Sequence, residues 1–152
     1  MAATHFTGPI ITGPILNTSG TTLGQDVADV GTVVVAQATA LTQAGSTTAF
    51  ASNIVIPAYS QIIDIYVFAT TGWASSATLS VGTTATATEL VSGATSQQTI
   101  GASGLSPGAD ATRTGKWINV GSTDVRLYFL SSGGTGGVAS VIVRYVPGIN
   151  AP

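Results

Sequence analysis

The chain has 152 residues, six acidic and four basic, so 7 % are charged and the formal net charge is −2. Ordinary soluble domains carry about a quarter charged residues, and four scattered basic side chains do not neutralise a run of phosphates, which excludes a nucleic-acid binder. Cysteine is absent, and with it disulfides, thiolate nucleophiles and cysteine-based metal sites.

Residues 1–31 carry a near-repeat, Gly8-Pro9-Ile10 and Gly13-Pro14-Ile15, followed by a stretch rich in Thr, Ser and Gly over 17–25. Two prolines in six residues exclude a helix and a central strand. An extended N-terminal arm is expected, with Phe6, Pro9, Ile10, Ile11, Pro14, Ile15 and Leu16 as its apolar teeth and binding residues. Ordering such an arm costs about 1–2 kcal/mol per residue in backbone entropy, so it has to lie on another surface. Residues 1–6 show no basic start followed by an apolar core, so a secretory signal is not expected. No apolar run approaches the roughly 18 residues of a membrane helix, and no membrane partner is expected.

Residues 32–152 read as a β-sandwich domain. Residues 33–43 are β-branched and then alternate, and 53–57 form a short apolar run closed by Pro57 and a turn. Residues 61–70 predict a strand with Ile63, Ile65, Val67 and Ala69 on one face and Asp64, Tyr66 and Phe68 on the other. Further short strands are expected at 77–81, 116–120 and 124–130, the last with Val125, Leu127 and Phe129 against Arg126, Tyr128 and Leu130. The glycine-serine stretch 131–137 reads as a hairpin loop or a glycine bend between strands. In the last strand, 138–146, Ala139, Val141, Val143 and Tyr145 share one face. No window of 11 residues shows helical periodicity with good helix formers. The fold class is therefore all-β, a sandwich of roughly eight strands.

Catalytic constellations are not found. The one histidine, His5, sits in the arm, and of the six acidic residues only Asp26 and Asp29 are close in sequence. A Ca²⁺ site takes about six to eight oxygens, so a turn or helix cap is the better reading of that pair, and neither metal nor cofactor is expected. Residues 133–137 are glycine-dense but lack the following Lys-Ser/Thr of a phosphate loop. Trp73, read at an exposed strand end, and Trp117, read inside a strand, are candidate glycan-stacking or interface aromatics. Arg113, Lys116, Arg126 and Arg144 read as solvated charges or as bridges to a partner. The hydroxyl-rich stretches 83–88 and 94–99 suit ordinary loops or loops packed on a repetitive lattice. The protein is expected to be non-enzymatic.

The order Ile54-Val55-Ile56-Pro57, small turn, Gln61-Ile62-Ile63-Asp64-Ile65-Tyr66-Val67 resembles a recurring domain in virion structural proteins of tailed bacteriophages. Ala77-Thr78-Leu79-Ser80-Val81-Gly82-Thr83 and Val141-Ile142-Val143-Arg144-Tyr145-Val146 fit that domain too, so the likeness spans about residues 53–146. Phe6-Thr7-Gly8-Pro9-Ile10 is similar to the leading arms of small phage capsid-associated proteins. The resemblance implies a jelly-roll-like β-sandwich that decorates or cements a capsid, with the major capsid protein as partner. It further implies a homotrimer on the outer surface of the virion, assembled in the host cytoplasm. The alternative it leaves open is a head-fibre or tail-associated module that binds host-surface glycans.

Overall fold

The structure is a computed structural model and describes residues 33–149 apart from Ser46. Alternating apolar and small polar residues give eight strands: β1 (Val35–Thr42), β2 (Phe50–Ile56), β3 (Gln61–Thr71), β4 (Leu79–Gly82), β5 (Val91–Ala94), β6 (Gly101–Leu105), β7 (Val125–Ser131) and β8 (Val138–Val146). They form two antiparallel four-stranded sheets, ordered β1-β8-β3-β6 and β2-β7-β4-β5. Of the connections, β4 to β5 is a hairpin within one sheet, and most others cross between sheets. This is the strand order of a jelly roll, two interleaved Greek keys, and it agrees with the expected all-β sandwich.

The core lies between the sheets. β3 contributes Ile62, Ile65, Val67 and Ala69; β8 contributes Ala139, Val141, Val143 and Tyr145; β7 contributes Leu127 and Phe129. Ile54, Ile56, Leu79, Val81 and Leu90 close it from the other sheet, each at most 1 % exposed. No helix among the described residues is long and apolar enough to cross a membrane.

Five sequence expectations are corrected. Ile63 does not share the inner face of β3: it is 44 % exposed, while Ile62 is 3 % exposed. The cause is a bulge, since Ile62 and Asp64 face the consecutive residues Tyr145 and Arg144, leaving Ile63 as the extra residue. The predicted strand at 116–120 is instead the end of a short helix, α1 (Ala111–Ile118). Asp110 caps it by accepting from the Arg113 backbone N–H at 2.8 Å, and the Thr114 hydroxyl donates to the Asp110 carbonyl. Trp73 is not exposed; it is 4 % accessible, and an added Cβ at Gly137 would overlap its ring. The stretch 94–99 is not a surface loop throughout, since Gln97 is fully buried and its amide donates to the Ala94 and Ala77 carbonyls. Residues 131–137 are the crossing between sheets rather than a hairpin, because β7 and β8 belong to different sheets.

Candidate functional site

The arm residues Phe6, Pro9, Ile10, Ile11, Pro14, Ile15 and Leu16 lie outside the described residues, as do His5, Asp26 and Asp29. The two tryptophans do not form a shared platform. Trp73 belongs to the core, and Trp117 is half-buried on α1 with its indole N–H donating to the Leu90 carbonyl at 2.9 Å. Among the described residues no three His, Asp or Glu side chains are grouped to hold a metal ion.

A cleft of about 300 Å³ opens between β5 and β6, lined by Val91, Ala94, Leu105, Pro107 and Arg113 among others. Arg113 is its ionisable side chain. Its guanidinium donates to the Pro107 carbonyl at 3.1 Å and pairs with Asp110 at 3.6 Å. The Arg113 backbone N–H and then its positive charge hold the Asp110 carboxyl below its ordinary range. The cleft brings together no nucleophile and base, so it offers no acid–base chemistry.

The loop 83–89 uses its hydroxyls internally. Glu89 accepts from the hydroxyls of Thr84 and Thr86, the latter at 2.7 Å, and from the backbone N–H groups of Thr83 at 3.2 Å and Thr88 at 3.1 Å. Partial burial alone would raise the Glu89 carboxyl, but these donors outweigh it and hold the pKa at about 2. Thr84 and Thr86 are therefore committed to Glu89, and this carboxylate was not singled out by sequence.

The outer face of the β1-β8-β3-β6 sheet is covered mainly by neutral side chains. Register places Ala38, Ile142, Tyr66 and Gly104 in one row across it. The next row is Ala40, Ser140, Phe68 and Ala102, and a third is Ala36, Arg144 and Asp64. Short or apolar side chains thus cover the face, with one ion pair at its margin. Arg144 Nε donates to both Asp64 carboxylate oxygens, at 2.9 and 2.8 Å, and the guanidinium carbon lies 5.7 Å from the Tyr66 ring centroid. Hydrogen bonding and charge from Asp64 raise the Arg144 pKa further. Tyr66 and Phe68 lie side by side with ring centroids 6.2 Å apart. This face of mostly neutral side chains, short along β1, can be covered by another protein at little desolvation cost. Sequence reasoning missed it, although the Ala36, Ala38, Ala40 alternation and the absence of any charge over residues 33–63 were visible signals.

The chain matches no protein-family model and no curated protein. Among solved structures it is similar to a chain of the cyanophage Pam1 capsid asymmetric unit, at 19 % identity and a TM-score of 0.54. The likeness covers 89 % of this chain and 99 % of that one, and at this identity it establishes a shared fold.

Proposed function

We propose that the protein is a non-enzymatic structural subunit of a phage virion, a capsid decoration or cement protein that binds and stabilises the major capsid protein lattice from outside. The observation that carries this reading is the likeness to a cyanophage capsid chain, which extends over nearly the whole of that chain. The jelly-roll strand order, the neutral outer face of Ala36, Ala38, Ala40, Tyr66, Phe68 and Ile142, and the low charge of the whole sequence support it. In this reading Phe6, Pro9, Ile10, Ile11, Pro14, Ile15 and Leu16 grip grooves of the shell, and the sandwich bridges neighbouring capsid subunits. Modest contacts repeated over symmetric copies, with a trimer as the repeating unit implied by the resemblance, add through avidity. The glycan-binding alternative loses Trp73, which is buried in the core.

Cosedimentation with empty shells that lack this subunit tests the proposal. The full chain is expected to pellet with the shells to a saturating ratio, and a chain without residues 1–16 is expected to stay folded but remain in the supernatant. Undiminished binding of the shortened chain would overturn the arm mechanism, and no binding of the full chain would overturn the proposed function.

A further inference from the structure

The sandwich has four edge strands, and three of them are blunted. β5 has four residues and turns at Gly93 with φ of 65°. β6 has five residues, two of them glycine, one at φ of 128°. β2 is bulged between Ala51 and Val55, and the Gln37 side chain occupies both backbone groups of Val55. β1 differs on every count. It has eight residues, pairs with β8 without a register shift, and contains no proline, glycine or charge. Natural edge strands are usually guarded by charge, proline, bulges or shortness, and β1 has none of these.

The direction of its backbone groups follows from one hydrogen bond. Gln43, one residue beyond β1, donates its N–H to the Gly137 carbonyl at 2.8 Å. In an antiparallel pair alternate residues face the partner strand, so Val35, Gln37, Thr39 and Leu41 turn their N–H and C=O to β8. Ala36, Ala38, Ala40 and Thr42 turn theirs to the open edge. Among the described residues, the Ala40 carbonyl meets only the neighbouring Thr39 hydroxyl, at 3.4 Å.

We propose that this edge is a strand-addition site for β1 of a second copy of the chain, running antiparallel about a two-fold axis at Ala38. The sequence Ala36-Gln37-Ala38-Thr39-Ala40 is nearly palindromic in side-chain size. Ala38 faces Ala38, Ala36 faces Ala40, and Gln37 faces Thr39, so no bulky or like-charged side chains oppose one another. The Ala38–Ala38 pair and the two symmetry-related Ala36–Ala40 pairs exchange about six backbone hydrogen bonds. With no charge over residues 33–63, two copies meet without repulsion. An isologous pairing consumes both edges and closes, so it does not propagate into fibres. The two-fold contact is compatible with three-fold contacts made elsewhere on the same chain, and it does not depend on the virion reading.

The test is made on the full-length protein in solution, by amide hydrogen exchange and sedimentation equilibrium. The expected wild-type result is an even number of copies per particle, with slow exchange at Ala36, Ala38 and Ala40. Ala38→Pro removes an outward N–H and leaves the β8 ladder intact, and is expected to halve the particle mass. Ala38→Glu and Ala38→Lys keep the backbone; each alone is expected to halve the mass, and mixing the two is expected to restore it. Fast exchange at these amides in the wild type, or an unchanged mass in all three variants, would overturn the proposal. Slow exchange in a monomer, which assigns the edge to the chain's own residues, would overturn it as well. So would protection that arises only on capsid shells, which assigns the edge to the capsid protein.

Discussion

Gln37 on β1 binds Val55 on β2 through both backbone groups: its amide nitrogen donates to the Val55 carbonyl at 2.6 Å, and its amide oxygen accepts the Val55 N–H at 3.1 Å. The side chain thus stands in for a missing neighbouring strand and ties the two sheets together at one side of the sandwich. The same nitrogen also donates to the Tyr145 hydroxyl at 2.7 Å, and Tyr145 is buried. Gln37→Leu is expected to destabilise the fold by about 1–2 kcal/mol, since it removes three hydrogen bonds, two of them at a partly exposed strand edge. Urea denaturation checks this, with the midpoint falling and the slope unchanged.

The bulge in β3 sets a second expectation. Ile62 is 3 % exposed and Ile63 44 %, although they are adjacent and chemically identical. Ile62→Ala is expected to cost about 2–4 kcal/mol by leaving a cavity against the core. Ile63→Ala is expected to cost less than about 1 kcal/mol. Equal losses in thermal denaturation would contradict the placement of the bulge.

Glu89 gives the fold a pH dependence. Its folded pKa of about 2 lies below the ordinary 4.5, so the carboxylate's contribution is complete above pH 4.5 and is lost as pH falls towards 2. Glu89→Gln removes the charge that Thr84, Thr86 and the loop N–H groups hold. At neutral pH the variant is expected to be less stable by about 1–2 kcal/mol, a figure discounted for the partial exposure of the group. The melting-temperature gap between wild type and variant is expected to close as pH is lowered from 5 to about 2. A gap independent of pH would show that the carboxylate's charge is not what the loop binds.

Two glycines are expected to respond with opposite signs. A methyl group at Gly137 would overlap the buried Trp73 ring, so Gly137→Ala is expected to cost about 1–3 kcal/mol. A methyl group at Gly115, inside α1, meets nothing within 4 Å, so Gly115→Ala is expected to stabilise by about 0.5–1 kcal/mol. Thermal melts of the two variants check both signs.

The strands with strong two-residue alternation were readable from sequence because burial in a two-sheet sandwich follows side-chain parity; Leu127 and Phe129 of β7 and Ala139, Val141, Val143 and Tyr145 of β8 are buried as expected, while Val146 at the end of β8 is buried against its parity. β3 broke that parity at Ile63, because a bulge is a property of pairing with β8 and leaves no mark in β3's own composition. β5 and β6 went unread, since Val91-Ser92-Gly93-Ala94 and Gly101-Ala102-Ser103-Gly104-Leu105 carry few side chains that report a face. α1 was hidden by its eight-residue length and by Thr112, Thr114 and Gly115, which are weak helix formers, while its cap, Asp110, was in plain view. Trp73 was misplaced because its burial depends on Gly137, 64 positions away. The outer face of β1, β8, β3 and β6 depends on strand order, which sequence alone did not supply. Its low charge was legible from the outset.

The proposed place of this jelly roll is the outside of a capsid shell. Locating the chain in the intact particle by electron cryomicroscopy, with its copy number, is the decisive measurement. Density for the sandwich is expected at symmetric, repeated positions on the outer face of the shell, in contact with the major capsid protein. Density confined to the tail or to a fibre tip, or no copies on the head, would contradict it.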